Sequence, residues 1–447
     1  MKRQSKTLLS LFFPIALETL FHMLAGMVDT LMLSSVSDEA VGAVGTANTY
    51  ISMFIIMFSV ISSGMIAVMT QNIGAGRPGV AYQARQLGAA FNAIVGTLLA
   101  LFMLRFSDAI LETVGVAPSL MAHAKSYLQI VGGCCFLNAL VPIFSNYLRS
   151  FGHTRAPMLA ALSANLLNVV LNALFLFPLN MGVRGVAIAT ALSRLVNLSI
   201  VMFASHRLIH AKNHPERLRN REVFGQIIRI GLPSALETAL YNGSITLIIR
   251  FLNQMDASGM NVTARSYAMQ LTNISYCLAS ALAQANAIMT GWRIGAGQFD
   301  ACDRQTKRAA LVGIFIAVCI ESAFALSANS VMRLFTDDPA MIALVGRLLA
   351  IDIVLEIGRA GNLVFGQALK TSGDALFTTI IAAVFMYLCA AGGTYLLGVR
   401  LGWMAVGSYI ALACDECIRA VCMFLRWQSG KWRKKQLVHG SAVETRF

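Results

Sequence analysis

Three ionisable residues inside one long apolar run are the first sign of chemistry in this chain. The run Leu11 to Leu33 carries Glu18, His22 and Asp29. At about 100° per residue the three fall within roughly 40° of one another, so they share one face of a helix. The run is long enough to cross a bilayer. A carboxylate held at mid-bilayer costs about 2.5–3.5 kcal/mol even on translocon-insertion scales. The stripe therefore has to face a protein-lined or water-filled cavity. Two uses fit it: polar groups that lock helices together, or an ion or substrate site, which is the default for such residues.

Other apolar runs carry similar stripes. Asn165, Asn168 and Asn172 lie within about 60° on one helical face, and Thr190, Arg194 and Asn197 share another. With Asp29 they offer carboxylate, amide and hydroxyl oxygens, the donor type that hard cations prefer. A sodium ion needs several such oxygens; a proton needs only the carboxylate. The alternative is that the amides join helices, at about 0.6 kcal/mol each, and that Arg194 neutralises Asp29 or Glu18. In the second half of the chain Glu237 and Tyr241 share a face, as do Asp352, Glu356 and Arg359. Glu356 and Arg359, one turn apart, suit an intrahelical ion pair, which leaves Asp352 needing a proton or another partner. These residues are candidate substrate or proton sites. Asp415, Glu416 and Arg419 read as a structural group near the cytoplasmic end of the last span, and Glu321 stands alone. No nucleophile triad, zinc pattern or phosphate loop is present, since both Ile-Gly-Ala-Gly turns lack the Gly-Lys-Ser/Thr ending. The expectation is a protein that is not an enzyme, has no catalytic residues, and uses no cofactor beyond a coupling ion.

The elements that position these groups are membrane helices. Of 447 residues 57% are hydrophobic and 13% charged, against about 25% charged in soluble domains. The net charge of +14 comes from basic residues in short loops. That is the signature of membrane orientation and not of nucleic-acid binding. Twelve apolar segments reach spanning length, near 11–33, 47–72, 87–108, 122–148, 156–179, 185–206, 226–252, 264–292, 308–333, 343–369, 376–399 and 404–427. With the N-terminus inside, the segments Lys2–Lys6, Arg77–Arg85, Arg149–Arg155, Arg207–Arg229, Arg293–Arg308 and Arg426–Lys435 all fall on the cytoplasmic side, as the positive-inside rule requires. Both termini are then cytoplasmic. Trp292, Trp403 and Trp427 sit at span ends, where interfacial aromatics belong. The basic N-terminus followed by an apolar run resembles a signal peptide, but no small-residue cleavage site follows, and a retained first span is expected. Nine cysteines, scattered mostly within apolar runs, argue against a disulfide framework.

The chain repeats itself at an offset near 220. Pro14-Ile-Ala-Leu-Glu18-Thr19 returns as Pro233-Ser-Ala-Leu-Glu237-Thr238, and Ile73-Gly-Ala-Gly76 as Ile294-Gly-Ala-Gly297. Ser150-Phe-Gly-His153 aligns with Thr371-Ser-Gly-Asp374, Pro118 with Pro339, and Gly182 with Gly402. An even six spans per half gives both halves the same orientation, a parallel repeat used by secondary transporters. The expected fold is an all-α polytopic membrane protein whose twelve transmembrane helices form two pseudo-two-fold-related six-helix lobes. The N-lobe is 1–205, a basic cytoplasmic linker 206–229, the C-lobe 230–427 and a basic tail 428–447.

Over essentially its whole length the chain resembles the multidrug and toxic compound extrusion (MATE) transporters. The motifs that carry this are Val28-Asp29-Thr30, Ile73–Gly76, Leu148-Arg149-Ser150-Phe151-Gly152-His153-Thr154-Arg155, Asn168 to Asn172, and Gly185-Val-Ala-Ile-Ala-Thr190. The resemblance implies a V-shaped pair of six-helix lobes and the export of small organic, mostly cationic, drug-like compounds in exchange for H⁺ or Na⁺ by alternating access. It assigns cation coupling, with Na⁺ as one candidate, to Asp29, Asn168, Asn172 and Thr190. Asn172 stands where some members have aspartate, and the family's seventh-span glutamate falls near Tyr241, with Glu237 one turn earlier. The tenth-span acid maps only loosely, onto Glu356 or Arg359. The expected setting is the plasma (inner) membrane, as a monomer whose partners are substrate and membrane lipid, with no nucleic acid. A lipid-linked oligosaccharide flippase of the same architecture is the rival; it calls for a more cationic cavity and often two extra spans. A membrane enzyme or receptor has no obvious use for the repeat.

Overall fold

The computed structural model describes residues 7–34, 37–113, 118–210, 214, 216–256 and 258–438. The basic stretch Lys2–Lys6 and the end of the tail lie outside them. Regular structure among the described residues is helical. In the first half α1 is Leu8–Ser34, α2 Asp38–Gly74, α3 Pro78–Arg105, α4 Ser107–Thr113, α5 Pro118–Tyr127, α6 Cys135–Ser150, α7 Arg155–Leu176 and α8 Gly182–Leu208. In the second half α9 is Asn220–Met255, α10 Met260–Gly295, α11 Phe299–Met332, α12 Pro339–Ser372, α13 Ala375–Phe385 and α14 Met404–Gln428. A π-helical stretch, Leu128–Gly132, continues α5 toward α6, and the joined pair bends by 42°. Two more, Met386–Ala391 and Thr394–Arg400, continue α13. Taking each continued helix as one span, the described residues supply twelve. Up to eight are apolar enough to cross a membrane by length and composition alone. Four fall short, α9, α10, α12 and α14, and the last three of these carry the buried Arg265, Asp352, Glu356, Asp415, Glu416 and Arg419.

The chain divides into two compact units, 1–231 and 232–447. The division falls inside the continuous helix α9. The linker expected at 206–229 is helical at both ends, since α8 runs to Leu208 and α9 begins at Asn220. Gln83 anchors the stretch between them: the side-chain nitrogen donates to Leu218 O at 2.7 Å, and Leu218 N donates back to Gln83 Oε1 at 3.1 Å.

Each unit has its own apolar core, one around Ala47, Leu128 and Val186 and one around Ile248, Leu348 and Ala405. Between apolar helices in lipid, association relies on close van der Waals packing and small residues. In the first unit a β-carbon at Gly64 would overlap the Ile227 carbonyl, and one at Gly231 the Val60 carbonyl. The start of α9 thus lies backbone to backbone against α2.

The repeat reappears in the turns. Gly76 and Gly297 have φ of 77° and 72°, Gly152 and Gly373 of 81° and 101°. The left-handed region is open to glycine at no steric cost. Around Gly152 the N–H donates to Arg149 O and His153 N to Leu148 O; around Gly373 the same bonds run to Lys370 O and from Asp374 N to Leu369 O. These are helix C-caps of one design.

One interfacial expectation is corrected. Trp403 is exposed, but Trp427 is 1% exposed and stacks on Trp432 at 4.1 Å between ring centroids. Its indole N–H donates to Asp303 Oδ1 at 2.8 Å. It is a packing residue, tied down by the chain that follows it.

Two polar cavities as candidate functional sites

In the first unit α1, α7 and α8 enclose a small cavity of about 100 Å³, lined among others by His22, Asp29, Asn165, Asn168, Thr190 and Arg194. Asp29 is the only acid among its described lining residues. Asn172 Nδ2 donates to Asp29 Oδ1 at 2.8 Å. The Asn168 amide, turned as its surroundings favour, donates to the same oxygen at 2.6 Å. Both asparagines are buried, and their spacing of four residues stacks them one turn apart on α7. Two neutral donors therefore hold the carboxylate. Thr190 directs its hydroxyl to Val186 O at 2.9 Å, along its own helix. Asn165 donates to Phe21 O at 3.3 Å and so ties α7 to α1. The guanidinium of Arg194 lines the same cavity and makes no ion pair within 4.0 Å among the described residues. As a sodium cage this is poor, because the amides present N–H groups to Asp29 and the threonine oxygen is turned along its helix; Asn172 Oδ1 is enclosed without a partner.

Glu18 does not line this cavity. It pairs with Arg149 Nη2 of α6 at 2.7 Å, both side chains mostly buried. Glu237, its counterpart in the repeat, pairs with Lys370 Nζ of α12 at 2.9 Å and accepts from Thr378 at 3.4 Å. The two pairs occupy matching positions in the two halves, offset by 219 and 221 residues.

The second unit has a larger cavity, about 210 Å³, between α9, α10, α12, α14 and the Met386–Ala391 turn. Tyr241, Asp352 and Arg359 line it, and Glu356 stands directly behind, paired with Arg359. Asp415, Glu416 and Arg419 belong to the same cavity. The reading of that triplet as a separate structural group is therefore corrected, since α12 and α14 pack closely enough to merge the two clusters. A β-carbon at Gly358 would lie 2.6 Å from Cys417 N. Arg359 joins Glu356 to Glu416, and Arg419 reaches Glu416 Oε1 at 2.8 Å and Asp415 at 2.5 Å. Asn362 donates to Glu416 Oε2 at 2.9 Å. Glu321, from α11, is fully buried with both oxygens unpartnered. The π-helical turn frees the Met386 carbonyl, which accepts from Ser244 Oγ at 2.8 Å. Such turns often occur at functional sites. Arg265 on α10 also lines this cavity and was not among the residues singled out by helical spacing. It sits in a polar run, Asn261 to Ser266, at the start of a span, where an arginine ordinarily reaches for the headgroups.

All nine cysteines are free thiols. Among the described residues no group of three His, Cys, Asp or Glu side chains is placed to hold a metal ion.

Each unit of membrane-spanning helices thus holds one polar cavity lined by ionisable side chains. A family model described as MatE matches residues 14–174 and again 233–396. The chain belongs to that family, and the double match shows the internal duplication. It is 31% identical over 436 residues to the uncharacterized transporter YisQ of Bacillus subtilis, covering 96% of this chain and 95% of the relative. It is 24% identical over 450 residues to the probable multidrug resistance protein NorM of Thermotoga maritima, covering 98% and 95%. Among solved structures, a MATE in the straight conformation superposes with a TM-score of 0.86 at 20% identity, covering 96% of each chain. An outward-facing multidrug resistance MATE transporter gives 0.84 at 20%, covering 94% of each. At that identity the likeness concerns the fold. The chain is thus a multi-pass membrane transporter of the multidrug type, in a family of transporters and not of enzymes.

Proposed function

We propose that the protein is a secondary antiporter that exports organic, mostly cationic, drug-like compounds by alternating access, with protons as the coupling ion. The observation that carries the ion choice is Asp29, held by two neutral amides in a cavity that also presents Arg194. One carboxylate and one guanidinium sum to no net charge. A sodium ion entering would meet a positive neighbour and few free oxygens. A proton needs only the carboxylate oxygen, so H⁺ is favoured over Na⁺.

Size divides the labour between the cavities. The cavity of the first unit, about 100 Å³, suits a small ion better than an organic cargo. The cavity of the second unit has twice that volume and carries aromatic walls. Around it five carboxyls (Glu321, Asp352, Glu356, Asp415, Glu416) face three guanidiniums (Arg265, Arg359, Arg419). That surplus of negative charge is relieved by protons or by a cationic group. Cargo is assigned to this unit, and coupling chiefly to Asp29. The protein acts in this reading as a monomer in the plasma (inner) membrane with both termini cytoplasmic.

The test is ethidium efflux from cells producing Asp29→Asn. Amide for carboxylate keeps the shape and removes the proton site, and efflux is expected to fall at least tenfold at unchanged membrane levels. Proteoliposomes with imposed pH or sodium gradients, compared side by side, decide the ion: the pH gradient alone should drive wild-type uptake. Undiminished efflux by Asp29→Asn, or a response to sodium alone, refutes the reading.

A further inference from the structure

Most charges around the larger cavity are already matched. Arg359 and Arg419 are engaged by Glu356, Asp415 and Glu416. Two lining groups are not. Arg265 is 8% exposed and, among the described residues, makes no hydrogen bond, ion pair or ring contact. Asp352 is 2% exposed and, among the described residues, neither of its oxygens takes part in a hydrogen bond or ion pair, although Arg359 lies within electrostatic reach of it. They come from different helices, α10 and α12, and are not paired with each other. Tyr409, 4% exposed, lies within electrostatic reach of both.

A buried guanidinium and a buried carboxylate, neither engaged in an ion pair among the described residues and both lining one cavity, offer a ligand one charge of each sign. A purely cationic cargo satisfies Asp352 and leaves Arg265 repelled. A purely anionic one does the reverse. We infer that the cavity of the second unit binds a small amphipathic zwitterion, its carboxylate on Arg265 and its ammonium on Asp352. The planar guanidinium offers parallel N–H donors that match a carboxylate. The apolar body of the ligand rests on Met269, Leu355, Leu412 and Tyr276, which line the same space. A volume near 210 Å³ sets the scale at an aromatic amino acid. The inference rests on the reading of this cavity as the cargo site, and it adds zwitterions to the cationic cargo of that reading.

Three probes of one shape separate the charges: tryptophan carries both, its methyl ester the ammonium alone, and 3-indolepropionate the carboxylate alone. Binding is measured on the purified full-length protein with radiolabelled tryptophan and competition by the other two, with no ion gradient applied. Tryptophan is expected to bind at least tenfold more tightly than either single-charge probe. Arg265→Gln should cost tryptophan at least tenfold and bind the ester as well as or better than the wild type, since a repelling charge is gone, and Arg265→Lys should recover part of the loss. Asp352→Asn should weaken tryptophan and spare 3-indolepropionate. The inference is overturned if tryptophan does not bind, if the ester binds as well as tryptophan, or if Arg265→Gln weakens both alike, which marks a packing role. Failure here with Asp29-dependent ethidium efflux intact sinks the zwitterion alone. Tryptophan binding without any dye efflux sinks the export reading and leaves the site standing.

Discussion

Arg194 shapes the cavity of the first unit by charge and not by contact. It lines the space around Asp29 yet approaches no carboxylate within ion-pair distance. Two unit charges 4 Å apart interact by about 4 kcal/mol at an effective dielectric of about 20, and less with distance. At 4 Å that is about a thousandfold in the affinity of a cation beside Asp29, and at two to three times that distance about ten- to a hundredfold. Arg194→Gln is accordingly expected to create sodium binding at tens of millimolar, read by ²²Na⁺ retention on the purified protein, where the wild type shows none. If both stay blank, Arg194 does not select the ion. At this scale the stripes read from helical spacing located Asp29, Asn168, Asn172 and Asp352, because an ionisable or amide group deep in an apolar run has few alternatives. Arg265 escaped notice because a lone arginine near a span end resembles one that reaches the headgroups. Only the packing of α10 against α12 and α14 turns it inward.

Between elements, the matching Glu18–Arg149 and Glu237–Lys370 pairs tie α1 to α6 and α9 to α12. Breaking a buried pair by removing one partner typically costs about 3–5 kcal/mol, since it strands the other charge. The Glu237 pair is more exposed, at 15–20%, and solvent screening lowers its share. Glu18→Gln is therefore expected to lower the melting temperature in detergent more than Glu237→Gln does. The exchange Glu18→Arg with Arg149→Glu should regain at least half of the loss. A double variant no better than the single would show that Arg149 is held by its other contacts. The Pro-x-Ala-Leu-Glu-Thr repeat was visible along the chain, but its partners were not, since each lies over 130 residues away. Helical spacing even set Glu18 on the stripe of Asp29. Eleven residues of helix separate them by about 16 Å, far enough to meet different neighbours.

For the whole molecule, duplication was the most legible feature, because a fixed offset of short motifs survives where individual helix ends do not. All twelve spans stood out as apolar runs; what the runs did not show is how the charges within α9, α10, α12 and α14 find one another, since they are neutralised only after packing. Charge also governs energetics across the membrane. One monovalent cation exported for one proton moves no net charge, and only concentration gradients drive it. A zwitterion exported for one proton moves one charge inward, adding about 2.3 kcal/mol per 100 mV. Valinomycin-clamped proteoliposomes should therefore show zwitterion export accelerated by an inside-negative potential and ethidium export insensitive to it. Equal sensitivity of the two would exclude a one-proton exchange for at least one of them.

The stacked Trp427–Trp432 pair has a bearing on biogenesis. Beyond α14 the chain turns through a short 3₁₀ helix, Lys431–Lys435, and Arg433 Nη2 reaches Asp300 Oδ1 at 2.9 Å while Trp427 holds Asp303. The start of α11 is thereby finished by residues synthesised some 130 positions later. Translation delivers the N-terminal part of a protein first, so the start of α11 leaves the ribosome unlatched until Trp427 and Arg433 have followed it. A nascent chain stalled before Trp432 would sit in the bilayer with its spans threaded and this seam still open, a form that quality-control proteases have time to inspect.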